Sequence, residues 1–257
     1  SAAACVFFEW GYRKIMKQDC TIGDLSAVVT GMLLAFVCPV TIPYWTIVIG
    51  DFFAIIVVKQ LFGGIGKNFM NPALAGRAFL FSWPVVMSTW VKPGFQNAAG
   101  IFSTADVVTG ATPLASLRAG TIPAEGIGKL FLGGVGGCIG ETSALLILVG
   151  FAYLLIRKVI SPRIPLVYIG TVAVITFLFP QGGDRLGWMA AEVFSGGLML
   201  GAVFMAPDYV TSPVTKWGQV IYALGCGVIT VVIRYFGSYV EGVSYAILVM
   251  NACAALL

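Results

Sequence analysis

Long apolar runs, parted by only a few polar residues, recur from one end of this chain to the other. A helix needs about 20 apolar residues to cross the hydrocarbon core of a membrane. Runs that fit fall at roughly 24–42, 44–62, 72–91, 129–156, 163–180, 188–206, 213–236 and 243–257. They are continuous rather than alternating, which argues against a β-barrel. Hydrophobic residues make up 59% of the 257, and charged residues only 10%. A soluble domain of this length has no use for so much apolar material. The expected fold is all-α and polytopic, one integral membrane domain over 1–257 with eight complete spans. Residues 1–10 read as the tail of a further span. With no initiator methionine and no signal-peptide pattern, the expectation is a chain truncated at its N-terminus, and the apolar end leaves the C-terminus open to the same reading.

Composition removes several chemistries. There is no histidine, so histidine-ligated haem and metal sites are excluded. The six cysteines lie apart with no C-x-x-C pair, which argues against an iron–sulfur cluster held by this chain alone. Redox chemistry here would need an organic cofactor or shared ligands. The net charge of +4 carries no basic, aromatic patch, so nucleic acid is not an expected partner.

That charge is explained by topology. With loop 11–20 in the cytoplasm, nine Lys and Arg fall on that side: Arg13, Lys14, Lys17, Lys59, Lys67, Arg157, Lys158, Arg163 and Lys216. Five fall on the other: Lys92, Arg118, Lys129, Arg185 and Arg234. The bias places the long loop 92–128 outside the cytoplasm.

Two segments interrupt the helical pattern, 62–77 around Asn68, Asn71 and Pro72, and 206–213 around Pro207, Asp208 and Pro213. Each ends in a polar residue followed by a proline expected at a helix start. Broken backbone at membrane depth survives only where it lines a cavity or is buried in protein. Paired breaks also fit an internal inverted repeat, as in several transporter folds. Gly133, Gly137 and Gly140 are expected on one helical face, where small residues let helices approach. Asp51, Arg77, Glu141, Glu192 and Arg234 are ionisable groups inside spans, which is costly and marks an interior or a pathway. Glu141 and Asp51 suit a cation or proton relay. The structural alternative pairs one of them with Arg77.

Loop 92–128 holds the most unusual stretch, Asp106-Val-Val-Thr109-Gly110-Ala111-Thr112-Pro113. Thr112 can be a helix cap with Pro113 at the first helical position. Its hydroxyl can equally carry a covalent phosphoester, with Gly110 and Ala111 leaving room for a bulky group.

Residues 66–81, Gly-Lys-Asn-Phe-Met-Asn-Pro-Ala-Leu-Ala-Gly-Arg-Ala-Phe-Leu-Phe, resemble a motif shared by the D subunit of the Rnf complex and the B subunit of the sodium-pumping NADH:quinone reductase. The threonine loop, Gly-Glu-Thr-Ser-Ala-Leu (140–145), Arg-Ile-Pro (163–165), Thr-Ser-Pro (211–213) and Glu-Gly-Val-Ser-Tyr-Ala-Ile-Leu-Val-Met-Asn (241–251) follow in the family's order. Thr-Gly-Ala-Thr-Pro-Leu-Ala is closer to the Rnf version. Two departures stand out: Thr109 where the family often has Ser, and Ala206-Pro207-Asp208 where it often has Ala-Thr-Asp.

The resemblance implies about ten spans in the full family and a subunit of a redox-driven Na⁺ or H⁺ pump passing electrons between ferredoxin and NAD. It implies FMN on Thr112 through a phosphoester, with Asp106, Thr109, Gly110, Ala111 and Pro113 shaping the loop. It implies a noncovalent riboflavin near Asn68 and Asn71, and nearby Lys67 is a candidate for a further donor to it. Asp208 joins Glu141 and Asp51 as a candidate for the ion path. The implied partners are the A, B, C, E and G subunits of the Rnf complex, including an iron–sulfur membrane pair and a second flavoprotein. Apart from that resemblance, broken helices and glycine stripes suit a cofactor-free channel or transporter equally well. Loop 106–115 is what such a channel does not need.

Overall fold

Glycine and proline decide where the helices of this chain begin and end. The computed structural model describes residues 1–88, 90, 112–237, 239 and 241–257, and every regular element among them is helical. The long elements are α1 (Ala2–Ile15), α2 (Ser26–Phe36) and α3 (Tyr44–Phe52), which continues as a π-helix over Phe53–Gln60. Helix α4 (Pro72–Leu80) is followed by three short helices, α5 (Pro84–Met87), α6 (Pro113–Arg118) and α7 (Ile127–Leu132). Then come α8 (Ala144–Ile156), α9 (Arg163–Leu178), α10 (Arg185–Phe194) and α11 (Leu198–Leu200), the last running into a π-helix over Gly201–Met205. Helices α12 (Lys216–Phe236) and α13 (Val243–Cys253) complete the chain.

Caps fix several starts. Asn71 accepts from the N–H groups of Ala73 and Leu74 and sets Pro72 at the first helical position. Asp184 accepts from Gly187 N–H at 2.8 Å, and Thr215 from Gly218 N–H at 2.9 Å. Close approach then depends on small residues. A Cβ on Gly76 would lie 3.0 Å from the Gly50 carbonyl oxygen and 3.1 Å from Ala54 Cβ, so α4 packs directly on α3. A Cβ on Gly227 would lie 2.6 Å from Thr171 Cβ, which brings α12 against α9. In the same helix pair the Tyr168 and Thr230 hydroxyls share a buried hydrogen bond of 2.7 Å.

The polarity of the molecule is turned outward-apolar. Leu146, Tyr153, Ile156, Leu166, Val174, Val228 and Val232 are exposed along α8, α9 and α12, while the ion pairs Glu9–Lys59 and Glu192–Arg234 are buried. Such a surface fits lipid and is poorly suited to water. Helix length supports fewer spans than the apolar runs promise. Among the described residues α12, of 21 residues, is the one helix long and apolar enough by itself. Arg185–Phe194 and Leu198–Met205, bent by 62°, make a second if taken together. The count of eight is not reached on this criterion.

Three expected spans are broken; the one over 72–91 divides at 81–83, between α4 and α5. Within 129–156, α7 stops at Gly133, whose φ of +110° suits glycine, and residues 133–143 are not helical before α8 begins. Gly133-Gly-Val-Gly-Gly-Cys-Ile-Gly140 has too little helix propensity to run on. Its backbone finds partners elsewhere: Gly140 N–H donates to the Phe36 carbonyl at 2.8 Å and Ile139 N–H to Cys38 at 3.3 Å. Gly133, Gly137 and Gly140 therefore form no helical stripe, and Glu141 lies in the break instead of mid-helix. The span expected over 188–206 breaks at 195–197, where Gly196 takes φ +68°. The breaks expected at 62–77 and 206–213 are present, but Pro213 does not open a helix; α12 starts at Lys216 behind Thr215. The fold thus holds two pairs of breaks. Segments 61–71 and 206–215 meet where Asn71 Nδ2 donates to the Met205 carbonyl at 3.3 Å. Segments 133–143 and 195–197 meet at the first of the two cavities described next.

Candidate functional site

Helix α8 separates two cavities. Thr142, just before it, lines the first, and Leu154, near its C-terminal end, lines the second. Thirteen helical residues make that separation about 20 Å.

The first cavity, of about 250 Å³, is bounded by Thr112, the breaks at 133–143 and 195–197, and the start of α13. Arg77 stands in its wall at 2% exposure. Its guanidinium pairs with Glu241, and donates to Ser244 Oγ at 2.8 Å and to the Cys138 sulfur at 3.7 Å. The Arg77 partner is thus Glu241, not the Asp51 or Glu141 that sequence spacing offered. Glu241 also accepts from Gly197 N–H at 3.1 Å. Glu141 faces the same glycine: a methyl placed on Gly197 would strike Glu241 Oε1 and sit 3.2 Å from Glu141 Oε2. Glu141 Oε1 accepts from Cys138 N–H at 2.8 Å, and its Oε2 is buried with no hydrogen bond among the described residues. Two carboxylates therefore border one cavity, and only Glu241 is paired with the guanidinium. Phe81, Tyr239 and Tyr245 pack on each other at ring distances of 5.3 to 6.0 Å, and the Arg77 guanidinium lies 5.5 Å from the Phe81 ring. All three rings line the cavity, as does Trp90. Thr112 stands at the N-cap of α6, with Pro113 at the first position, yet its side chain makes no cap hydrogen bond. Among the described residues its hydroxyl makes no hydrogen bond. Asp106, Thr109, Gly110 and Ala111 lie outside the described residues.

The second cavity, of about 300 Å³, lies where the breaks at 61–71 and 206–215 meet. Asn68, Asn71 and Asp208 line it; Lys67 is exposed and does not. Asn71 is fully engaged, its oxygen capping α4 and its amide held by Met205. Asn68 is 7% exposed and donates to the Met70 carbonyl at 3.1 Å, while its own carbonyl oxygen accepts no hydrogen bond among the described residues. Sequence reasoning missed Lys59 and Asp24, which also line this cavity. Lys59 Nζ lies 2.8 Å from Glu9 Oε2 and 2.6 Å from Ser26 Oγ. Asp208 caps its own turn, accepting from Val210 N–H and the Thr211 hydroxyl, both at 3.2 Å.

The three acids named for an ion path are not brought together. Glu141 borders the first cavity and Asp208 the second. Asp51 lines neither; it is fully buried and accepts from the Ser1 hydroxyl at 2.7 Å and the Cys5 thiol at 3.2 Å. Glu241 stands two residues before the span expected at 243–257 and entered the sequence reading only within the stretch 241–251. The available signal was the acid itself, beside a glycine at the edge of an apolar run.

Comparison with known proteins places this arrangement. The sequence model of the NQR2, RnfD, RnfE family matches residues 1–257. The chain belongs to the NQR2, RnfD, RnfE family. Within it, the chain is 50% identical over 248 residues to the D subunit of the Na(+)-translocating ferredoxin:NAD(+) oxidoreductase complex of Acetobacterium woodii, covering 95% of this chain and 74% of that protein. It is 43% identical over 272 residues to the D subunit of the proton-translocating ferredoxin:NAD(+) oxidoreductase complex of Clostridium ljungdahlii, covering 99% and 78%. It is 39% identical over 259 residues to the D subunit of the ion-translocating oxidoreductase complex of Stutzerimonas stutzeri, covering 91% and 73%. By name, these relatives are subunits of oxidoreductases that move ions. The first two are named for different ions, so membership of the NQR2, RnfD, RnfE family does not fix the ion.

Proposed function

We propose that this chain is a membrane subunit of an Rnf-type, redox-driven ion pump, carrying FMN on Thr112 and a phosphate-free flavin, riboflavin, in the second cavity. The observation that carries the first assignment is the Thr112 hydroxyl, which makes no cap bond to α6 and stands at the edge of a cavity lined by aromatic rings and glycine. A threonine that only capped α6 would accept a helix N–H on its hydroxyl oxygen, and this one does not. The lining suits a flavin. Aromatic faces and Gly136, Gly137 and Gly196, which carry no side chain, suit a planar ring, and Arg77 supplies a fixed positive charge beside it. A flavin bound there would supply one- and two-electron transfer.

The residues do the rest. Arg77 holds Glu241 and keeps the start of α13 against the break at 195–197. Glu141, with one free carboxylate oxygen at the same cavity, is placed to exchange a proton or Na⁺ as the charge of the site changes. The Na⁺ or proton in the names of the relatives fits either occupant. The charge bias supports Thr112 on the side away from the cytoplasm, with Asn68 and Asn71 near the cytoplasmic face. The partners are the other subunits of the complex.

Thr112→Ala tests the proposal. Covalent flavin, read as fluorescence of the denatured band and as added mass on the tryptic peptide bearing residue 112, should disappear. The subunit should still assemble, because the Thr112 side chain makes no cap bond. A peptide of unmodified mass from matured wild-type protein in its native membrane would refute the FMN assignment.

A further inference from the structure

The second cavity is electrostatically one-sided. Among the described residues its only basic lining group is Lys59, and that ammonium is already held by Glu9 and Ser26 at 2.8 and 2.6 Å. Glu9 is 1% exposed and also accepts from the Thr21 hydroxyl at 2.6 Å, so the charge of this lining ammonium is already balanced by a buried carboxylate. Two further carboxylates line the space, Asp24 and Asp208, and among the described residues no guanidinium or second ammonium does. Arg157 and Lys158 precede the lining residue Val159 in sequence but do not reach the lining, and Lys67 stays outside. The remaining polar groups are neutral. Asn68 is the telling one, more than nine-tenths buried, with a carbonyl oxygen that accepts no hydrogen bond among the described residues. The opposite wall, with Leu33, Leu154, Val203 and Phe204, is apolar.

From this we infer that the second cavity selects against phosphate: Asp24 and Asp208 admit an uncharged planar heteroaromatic and turn away its phosphorylated form. The inference rests on the riboflavin assignment above and adds its basis for specificity. A phosphate monoester brings close to two negative charges at neutral pH. Inside a low-dielectric cavity like charges are weakly screened, and an oxyanion there needs a donor with spare positive charge. Lys59 has none to spare. A neutral ring meets no such barrier, and a ring N–H can be taken by the idle Asn68 oxygen. The same chain can then keep two flavins apart by charge alone, the phosphorylated one bound at Thr112 and the phosphate-free one here.

Both acids can be neutralised without losing their structural work. Asp24 accepts from Ser26 N–H at 2.8 Å, and Asp208 accepts from Val210 N–H at 3.2 Å. These are turn contacts that an asparagine oxygen makes equally well. The test uses the purified complex depleted of noncovalent flavin, wild type and the double variant Asp24→Asn/Asp208→Asn, each titrated with riboflavin and with FMN by flavin fluorescence quenching. Wild type should bind riboflavin at least about tenfold more tightly than FMN, and the double variant should close most of that gap by gaining affinity for FMN. Riboflavin affinity should stay within about threefold in both. Equal affinity of wild type for the two flavins overturns this inference and leaves the riboflavin assignment standing. So does a double variant that rejects FMN as strongly as wild type does, which would make the exclusion steric. A wild-type complex that binds neither flavin overturns the riboflavin assignment and this inference with it.

Discussion

At the scale of single residues, the two glutamates of the first cavity look alike in sequence and differ in what they hold. Glu241 neutralises a guanidinium that is 2% exposed. Removing one partner of a buried ion pair leaves the other charge uncompensated, at a cost of about 3–5 kcal/mol. Glu241→Gln should therefore assemble poorly, with low yield of the subunit and a clearly depressed melting temperature. Glu141 uses one oxygen on Cys138 N–H, and the other has no hydrogen bond among the described residues. Glu141→Gln keeps the first contact and strands nothing, so its stability should stay close to wild type. What should change is the dependence of electron transfer on ion concentration, measured as turnover against Na⁺ and against pH. Unaltered ion dependence in a well-assembled Glu141→Gln complex would remove Glu141 from the ion path.

At the scale of elements, the helix starts at the breaks carry much of the chemistry. Asn71 and Asn68 lie three residues apart in one break and do different jobs. Asn71 caps α4 and ties it to the Met205 carbonyl across the molecule. Asn71→Ala should lose about 0.5–2 kcal/mol from the cap alone, and more through the unpaired carbonyl, whatever flavin is present. Asn68 supports no helix. Asn68→Leu should lower the riboflavin recovered from the complex without changing covalent FMN, with a much smaller loss of stability. Flavin extraction and thermal unfolding on the two variants separate these roles. If both lose stability equally and neither loses riboflavin, Asn68 is a structural residue like its neighbour.

At the scale of the whole molecule, the two cavities lie at opposite ends of α8, and the basic residues crowd towards one of them. With the positive-inside assignment, Thr112 and the stretch after it face away from the cytoplasm. Ala124 is exposed on that side and Cys20 is exposed in the basic loop opposite. In intact cells an impermeant thiol reagent should label Ala124→Cys in a background lacking the other cysteines. Native Cys20, alone in its own background, should react only once the membrane is opened. The reverse pattern would invert the topology and put Thr112 on the cytoplasmic side.

The apolar runs by themselves determined an all-helical, membrane-type chain, because uninterrupted hydrophobicity leaves the backbone no other way to satisfy its hydrogen bonds in lipid. Local chemistry also announced the start of α4, since Asn71-Pro72 is a cap and a first-turn proline side by side. The threonine loop stood out for the same local reason. The breaks at 133–143 and 195–197 were not legible, because glycine inside an apolar run fits a packed helix and a non-helical segment equally well. Only the carbonyls of Phe36 and Cys38, about a hundred residues away, decide for the second by accepting the freed N–H groups. The pairing of Arg77 with Glu241 and the sealing of Lys59 by Glu9 are likewise tertiary facts. Sequence spacing shows which charges are buried. Which charge meets which depends on how helices distant in the chain pack side by side.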